Sequence, residues 1–278
     1  MFPVLTIAGS DNSAGAGAQA DLKTMSALGV YGLTAITCVV AEVPGKVNAI
    51  QPIEPRIVAE QIRLCLEAFP IAAIKTGMLY SREIIAAVCD LLAGCKIPLV
   101  VDPVMIATSG DPLLKADAIA LCCERLFPLA TLITPNLDEA ATLLGRPVTS
   151  LAEMRVAGAE LTARHGTAFL LKGGHLRGAV ATDLLFAGGK VAEFSAPFVP
   201  GVSTHGTGCT YSAAIAAGLG KGLALHDAVA EAKRYVTAAV TNFLRWEKDG
   251  RTTDALNHQA WPPPSGSVLS FAAGRAVK

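Results

Sequence analysis

Four stretches of the chain carry residue types suited to handling phosphate. The first, 199–212, contains Thr204, His205, Gly206, Thr207, Gly208, Cys209 and Ser212 and runs into small residues of helical character. A Gly-x-Gly loop opening a helix presents unpaired backbone N–H groups and the positive end of the helix dipole. That is an anion site, suited to a transferring phosphoryl group. Cys209 falls in the first turn, where a thiolate is favoured. A polar atom there could act as base toward a substrate hydroxyl. With no ligand, the same residues would make an ordinary cap on a packed helix. In the second stretch Lys172 closes an apolar run and is followed by Gly173, Gly174 and His175. Such a lysine could reach phosphate oxygens or snorkel from a strand end.

The third set is acidic. Asp102 ends the apolar run 98–101, and Glu139 falls in the first turn of a helix capped by Asn136. Carboxylates at neighbouring strand ends could hold Mg²⁺, directly or through water. For Asp138 the simpler reading is a favourable interaction with the helix dipole. The fourth stretch is glycine-rich, from Gly9 to Asp21. Within it Gly15-x-Gly17-x-x-Ala20 matches the dinucleotide fingerprint, and Glu42 falls where a ribose-binding acid should be. The fingerprint should begin where the strand ends, yet Ser10 to Ala14 intervene, which weakens it. No G-x-x-x-x-G-K-[ST] occurs, so a P-loop is not the source of nucleotide binding.

These residues need elements to hold them. Short apolar runs at 4–8, 33–40, 71–75, 98–101 and 130–133 alternate with helical patterns at 18–28, 55–68, 82–92 and 116–126. Continuous apolar strands separated by helices indicate a parallel sheet covered on both faces. Ligands bind beyond the carboxyl ends of such strands. Ser10, Asp11, Glu42, Lys75, Asp102, Thr134, Asn136 and Lys172 are therefore the first suspects. Further on, 181–186 and 190–194 flank Gly188-Gly189 as a hairpin, and 206–219 and 224–246 read as two long helices. No linker composition interrupts 1–261, so one domain is expected, with 262–278 as a mobile tail. His165, His226 and His258 read as surface residues.

Composition narrows the class. The chain has 278 residues, 52% hydrophobic and 17% charged, enough to bury a sizeable core. The 23 basic and 23 acidic residues cancel. No electrostatic footprint for nucleic acid or an anionic membrane results. No apolar run approaches the ~20 residues of a spanning helix, and the first eight residues lack the basic region of a leader. The seven cysteines include no C-x-x-C pair. Free thiols in a reducing cytoplasm are expected, without a zinc site.

Together the four stretches resemble the hydroxymethylpyrimidine/phosphomethylpyrimidine kinase family of thiamin biosynthesis, within the ribokinase-like superfamily. The resemblance rests on residues 6–24, 75–79, 101–110, 134–140, 172–175 and 204–209 and spans about residues 3–246. It implies an α/β fold, a three-layer α/β/α sandwich with a mostly parallel central sheet. It implies an ATP-dependent kinase that phosphorylates 4-amino-5-hydroxymethyl-2-methylpyrimidine and then its monophosphate. Carried over by motif, Cys209 is the base, and Gly206, Thr207 and Gly208 form the anion hole. Lys172 neutralises phosphate charge. Asp102 and Glu139 organise Mg²⁺, with K⁺ a further candidate. Asn136, Lys172, Thr204 and His205 lie near the nucleotide. Gly9, Asp21, Glu42, Met78 and Val104 line the pyrimidine pocket, and 105–114 is a flap that closes over the site. The resemblance also implies a homodimer.

One departure matters. The family usually has Ala-Gln-Asn-Thr where this chain has Ala41-Glu42-Val43-Pro44. Glutamine offers a donor and an acceptor, whereas an ionised Glu42 only accepts. A pyridoxal or pyridoxine kinase is therefore an alternative. An NAD-dependent oxidoreductase rests on the fingerprint alone, and a silent binding protein would not need Lys172, Asp102 and the glycine loop.

Overall fold

The structure is a computed structural model that describes residues 1–105, 114–174, 176, 178–202 and 205–262. Thr204, His175, most of the expected flap and the tail after Pro262 lie outside the described residues.

The chain begins with β1 (Pro3–Asp11), α1 (Gly17–Ala27), β2 (Tyr31–Val43), β3 (Lys46–Pro52), α2 (Pro55–Ala68), β4 (Ala73–Thr76), α3 (Arg82–Leu92) and β5 (Leu99–Val101). It continues through α4 (Ala116–Leu121), β6 (Leu132–Ile133), α5 (Leu137–Leu144), α6 (Leu151–His165), β7 (Ala168–Lys172), β8 (Val180–Ala187) and β9 (Lys190–Pro197). Two helices, α7 (Thr207–Gly220) and α8 (Leu225–Thr241), precede a separate hairpin, β10 (Leu244–Lys248) and β11 (Arg251–Ala255).

The main sheet has the order β3-β2-β1-β4-β5-β6-β7-β8-β9. Strands β2, β1, β4, β5, β6 and β7 run parallel, while β3, β8 and β9 join antiparallel. The chain moves outward from β1 to β3, then crosses back to β4 on the other side of β1. This reversal leaves a crevice at the carboxyl ends of β1 and β4, where open sheets bind ligands.

Alternation along each strand divides the core between two faces. Leu5, Ile7, Leu99, Val101, Phe169 and Leu171 pack with α2 through α6. Val4, Val100, Leu132 and Leu170 pack with α1, α7 and α8. Helix α7 is buried almost all round, from Thr210 to Gly218. Its alanines and glycines let it lie close to the sheet: a Cβ on Gly220 would come 2.8 Å from Val4. The hydrophobic composition thus reflects sandwiched strands and one sandwiched helix. No helix among the described residues is long and apolar enough to cross a membrane.

Several boundaries differ from the sequence reading. Helix 224–246 ends instead at Thr241, and Trp246 lies in β10, 55% exposed. Asp249 and Gly250, both at positive φ, turn the chain there as a primed hairpin turn requires. Strand β3, a stretch to which the sequence reading assigns no element, follows a turn at Pro44-Gly45. The helix expected over 116–126 passes after Leu121 into a π-helical turn, Cys122–Leu126. His258 is not a surface residue: it is 4% exposed, its Nε2 lies 3.0 Å from Thr210 Oγ1, and its carbonyl accepts from Tyr235 Oη at 2.9 Å.

Candidate active site

A cavity of about 380 Å³ opens at the crevice between β1 and β4. Its wall on the β1, β2 and β4 side contains Gly9, Val40, Glu42, Val47 and Met78, with Val104 beyond β5. Two irregularities shape this wall. Pairing of β1 with β2 slips between Ala8 and Ser10, and pairing of β2 with β3 slips between Ala41 and Glu42. Bulges of this kind re-aim side chains beside sites. Gly9 is needed at the first: a Cβ there would come 2.8 Å from Cys38 Sγ.

The opposite end is built around the α7 N-terminus. Gly206 caps the helix with φ +80, and Gly208 and Cys209 follow in its first turn. Lys172, at the end of β7, reaches over this loop: a Cβ on Gly208 would lie 3.1 Å from Lys172 Nζ. Lys172 Nζ donates to Asp102 Oδ1 at 2.8 Å, Thr134 Oγ1 donates to the same oxygen at 3.1 Å, and Ser212 Oγ donates to Asp102 Oδ2 at 3.3 Å. Asn136 caps α5 in a reciprocal box: Glu139 N donates to Asn136 Oδ1 at 2.9 Å, and Asn136 N donates to Glu139 Oε2 at 2.8 Å. Glu139 therefore has a structural role whatever else it does.

The glycine-rich stretch of β1–α1 has its own contact. A Cβ on Gly206 would sit 1.8 Å from the Gly15 carbonyl oxygen, so the two glycine loops touch, backbone to backbone. Gly17, at φ +59, lies as closely against β1, with its Cβ position 2.6 Å from Gly9 O. The fingerprint glycines serve chain packing across the cavity floor.

Charges in the site are strongly perturbed. Burial pushes the Cys209 thiol up to about 11, with Lys75 opposing and Asp21 and Asp102 adding to the rise. Desolvation thus outweighs the helix-dipole effect that the sequence suggested. Burial pushes Glu139 up to about 7; Lys172 pulls it down and Asp102 raises it further. Lys75 is fully buried, yet the Asp21 carboxylate at 2.7 Å keeps it charged against the burial that would discharge it. Burial opposes ionisation of Asp11, but hydrogen bonds from His205, Ser13 and Ala16 outweigh it and hold the carboxyl at about 2.

Gly9, Glu42, Met78, Val104, Asp102, Asn136, Glu139, Lys172, His205, Gly206, Thr207, Gly208 and Cys209 all line this one cavity. Asp21 does not: it is fully buried, held by Thr6 Oγ1 at 2.6 Å and Lys75 Nζ at 2.7 Å, one step behind the wall. Its place on the wall is taken by Lys75. The sequence reading missed Asp183 and Lys233, which line the cavity and pair at 2.6 Å. Lys233 carried a signal: it is a charge among the buried positions Val229, Ala232 and Val236 of α8.

The sequence matches the family model described as phosphomethylpyrimidine kinase over residues 11–254. It is 46% identical over 261 residues to the hydroxymethylpyrimidine/phosphomethylpyrimidine kinase of Rhizobium meliloti, covering 88% of this chain and 98% of the relative. The enzyme of the same name from Escherichia coli is 45% identical, with 85% and 90% covered. Among solved structures, the Bacillus subtilis pyridoxal kinase in its ADP complex superposes with a TM-score of 0.85 at 34% identity, covering 94% of this chain and 98% of that one. The phosphomethylpyrimidine kinase of Clostridium difficile superposes at 0.76 with 39% identity, covering 86% and 100%. The family model matches most of the chain, and the identities extend over most of both partners, so the chain belongs to the phosphomethylpyrimidine kinase family, phosphotransferases of ribokinase-like fold.

Proposed function

We propose that this chain transfers the γ-phosphoryl group of ATP to the hydroxymethyl group of 4-amino-5-hydroxymethyl-2-methylpyrimidine, and then to the resulting monophosphate. The observation that carries this is one cavity with two chemically distinct ends. The Gly206–Gly208 loop with Lys172 suits a triphosphate, and the Gly9, Met78 and Glu42 wall suits a small polar ring. Phosphoryl transfer asks mainly for positioning and charge stabilisation. The backbone N–H groups opening α7 would receive charge developing on the transferred group. Lys172 would neutralise phosphate oxygens while Asp102 holds it in place. Cys209 would take the hydroxyl proton. Its thiol proton must first be drawn off, which Lys75 favours and the buried acids oppose.

Asp102 and Glu139 fit a divalent cation: both are 3% exposed, both are hard oxygen donors, and the charge of one raises the pKa of the other. Mg²⁺ bound there would supply charge neutralisation on the phosphates. The same proposal takes residues 1–261 as one domain acting as a cytoplasmic homodimer. Seven free cysteines suit a reducing compartment.

Structural likeness to pyridoxal kinases keeps a B6 vitamer as the second reading. ADP release with MgATP, compared across the hydroxymethylpyrimidine, pyridoxal and pyridoxine, separates the two. Preference for the pyrimidine, followed by a second round on its monophosphate, is expected. Preference for a B6 vitamer overturns the proposal.

A further inference from the structure

Three ionisable side chains meet at the acceptor end of the cavity, among them His205, which the resemblance places near the nucleotide and the structure sets against Asp11. One donor atom each from Asp11, Glu42 and His205 lies within 4.8 Å of the others. Two of the three are already committed. Asp11 Oδ1 accepts from Ser13 N at 2.7 Å, and Oδ2 accepts from Ala16 N at 2.7 Å and Ser13 Oγ at 3.0 Å. His205 Nε2 turns to the same Asp11 Oδ2 at 3.2 Å. The other titratable neighbour, Cys38 on β2, is pushed up to about 11 by burial and stays a neutral thiol. Val47, opposite Glu42 on β3, and Met78, after β4, carry no charge.

Glu42 differs from all of these. Its backbone N–H donates to Asn12 Oδ1 at 2.7 Å, which fixes the residue at the β2 bulge. Its carboxylate accepts no hydrogen bond from any described residue, although it lines the cavity and is half-buried. Burial raises its affinity for a proton, Asp11 adds to this, and His205 opposes it. Among the described side chains of the acceptor wall, Glu42 therefore offers an open carboxyl group, set beside the Asp11 carboxylate.

We infer that Glu42 selects the acceptor by its protonation state, gripping the amidine edge of a 4-aminopyrimidine through two hydrogen bonds that share one added proton. The inference rests on the aminopyrimidine reading above. The edge consists of a ring nitrogen and the adjacent exocyclic amine. When neutral, it presents one donor and one lone pair, and a carboxylate can match only the donor. With one proton added, whether on the ring or on Glu42, both contacts form. These are two microstates of one complex, and binding consumes one proton. The protonated edge is planar and forked, like the guanidinium that carboxylates bind in bidentate fashion. A hydroxypyridine cannot do this. Its ring nitrogen and phenolic oxygen are separated by a substituted carbon, and its phenolate would face both Glu42 and Asp11. Glu42 thus directs the pocket toward aminopyrimidines and away from B6 vitamers.

The sign of the pH effect follows from linkage. Above the pKa values of the free ring and of Glu42, the complex holds one more proton than its separated parts. The KM for the pyrimidine then rises with pH, approaching about tenfold per pH unit. The test measures that KM from about pH 6 to about pH 9 at saturating MgATP, for the full chain and for Glu42→Gln. Proton uptake is measured alongside, by calorimetry of the pyrimidine binding to the unaltered protein in two buffers of different ionisation enthalpy. The expected result is a rising KM and an uptake approaching one proton for the unaltered protein, with a flat profile for Glu42→Gln. A flat profile with no uptake in the unaltered protein overturns the inference. So does a slope that persists in Glu42→Gln, which would assign it to His205 or the nucleotide. If no pyrimidine turns over at any pH while a B6 vitamer does, the acceptor reading itself has failed instead.

Discussion

Substituting Gly206 by alanine tests whether the two glycine loops meet as described. Two costs add at this position. Gly206 has φ +80, and an L side chain in that region costs about 1–2 kcal/mol. The new Cβ would also sit 1.8 Å from Gly15 O, and overpacking of this kind costs about 1–3 kcal/mol. The sum is about 2–5 kcal/mol. Unfolding entropy of about 2.1 cal/mol/K per residue gives about 0.6 kcal/mol/K for this chain, so Tm should fall by about 3–9 °C. Gly222→Ala is the control. Its φ is +86, but nothing lies within 4 Å of its Cβ position, so only the first cost applies. The expected fall there is about 2–3 °C. The two also differ in activity. Relieving the clash must move the first N–H groups of α7, and loss of one such donor costs about 10²–10³ in kcat. Gly222→Ala leaves that loop alone. Thermal melting followed by circular dichroism, with steady-state kinetics on the same samples, reads both effects. If Gly206→Ala melts no lower than Gly222→Ala and keeps its kcat, the loops are not in contact and the account of the cavity floor is wrong.

Three further outcomes follow from other parts of the molecule. Lys75→Met leaves the Asp21 carboxyl buried without the cation that opposes burial's effect on it, which should cost about 3–5 kcal/mol in urea unfolding, and Asp21→Asn in the same chain should restore most of it; full stability in the single variant would contradict a buried ion pair. His258 is held neutral at about 4 by burial, against an ordinary 6.5, so its contribution is present above pH 6.5 and is lost as pH falls toward 4. Stability should drop by about 3 kcal/mol over that window, and less so in His258→Asn; identical acid profiles would remove His258 as the cause. Lys172→Met should lower kcat by about 10²–10³ while leaving the acceptor KM within about threefold; a change confined to that KM would move Lys172 out of the phosphate end.

The sequence made the parallel half of the fold readable because sandwiched strands must be apolar on both faces. Runs such as 98–101 and the helix opened by Pro55 announce themselves. Residues at strand ends were readable for the same reason: Asp102 and Lys172 stand where an apolar run stops, and both line the cavity. What sequence could not rank was burial against local electrostatics. The helix N-terminus argued for a Cys209 thiolate, but the acids that oppose it come from distant segments, Asp21 and Asp102. Asp21 itself looked like a pocket residue until its pairing with Lys75, 54 positions away, placed it behind the wall. The β10–β11 hairpin was obscured by a helix pattern that ran past Thr241, although Asp249-Gly250 marked its turn. Helix α6, which the sequence reading does not assign, is bounded by Ser150 capping Glu153 N and by Gly166 at φ +65.

The contact between the first and last thirds of the chain bears on how the protein is made. A chain emerging from the ribosome presents β1 and its glycine loop early, and α7 follows roughly 10–40 s later. Until then the strands have one face with only α1 to cover it, and Val100, Leu132 and Leu170 wait for α7 and α8. An apolar face left uncovered in this way is prone to association until those helices arrive. The same late helix brings Gly206 against Gly15, so covering the sheet face and completing the proposed phosphate site are a single event.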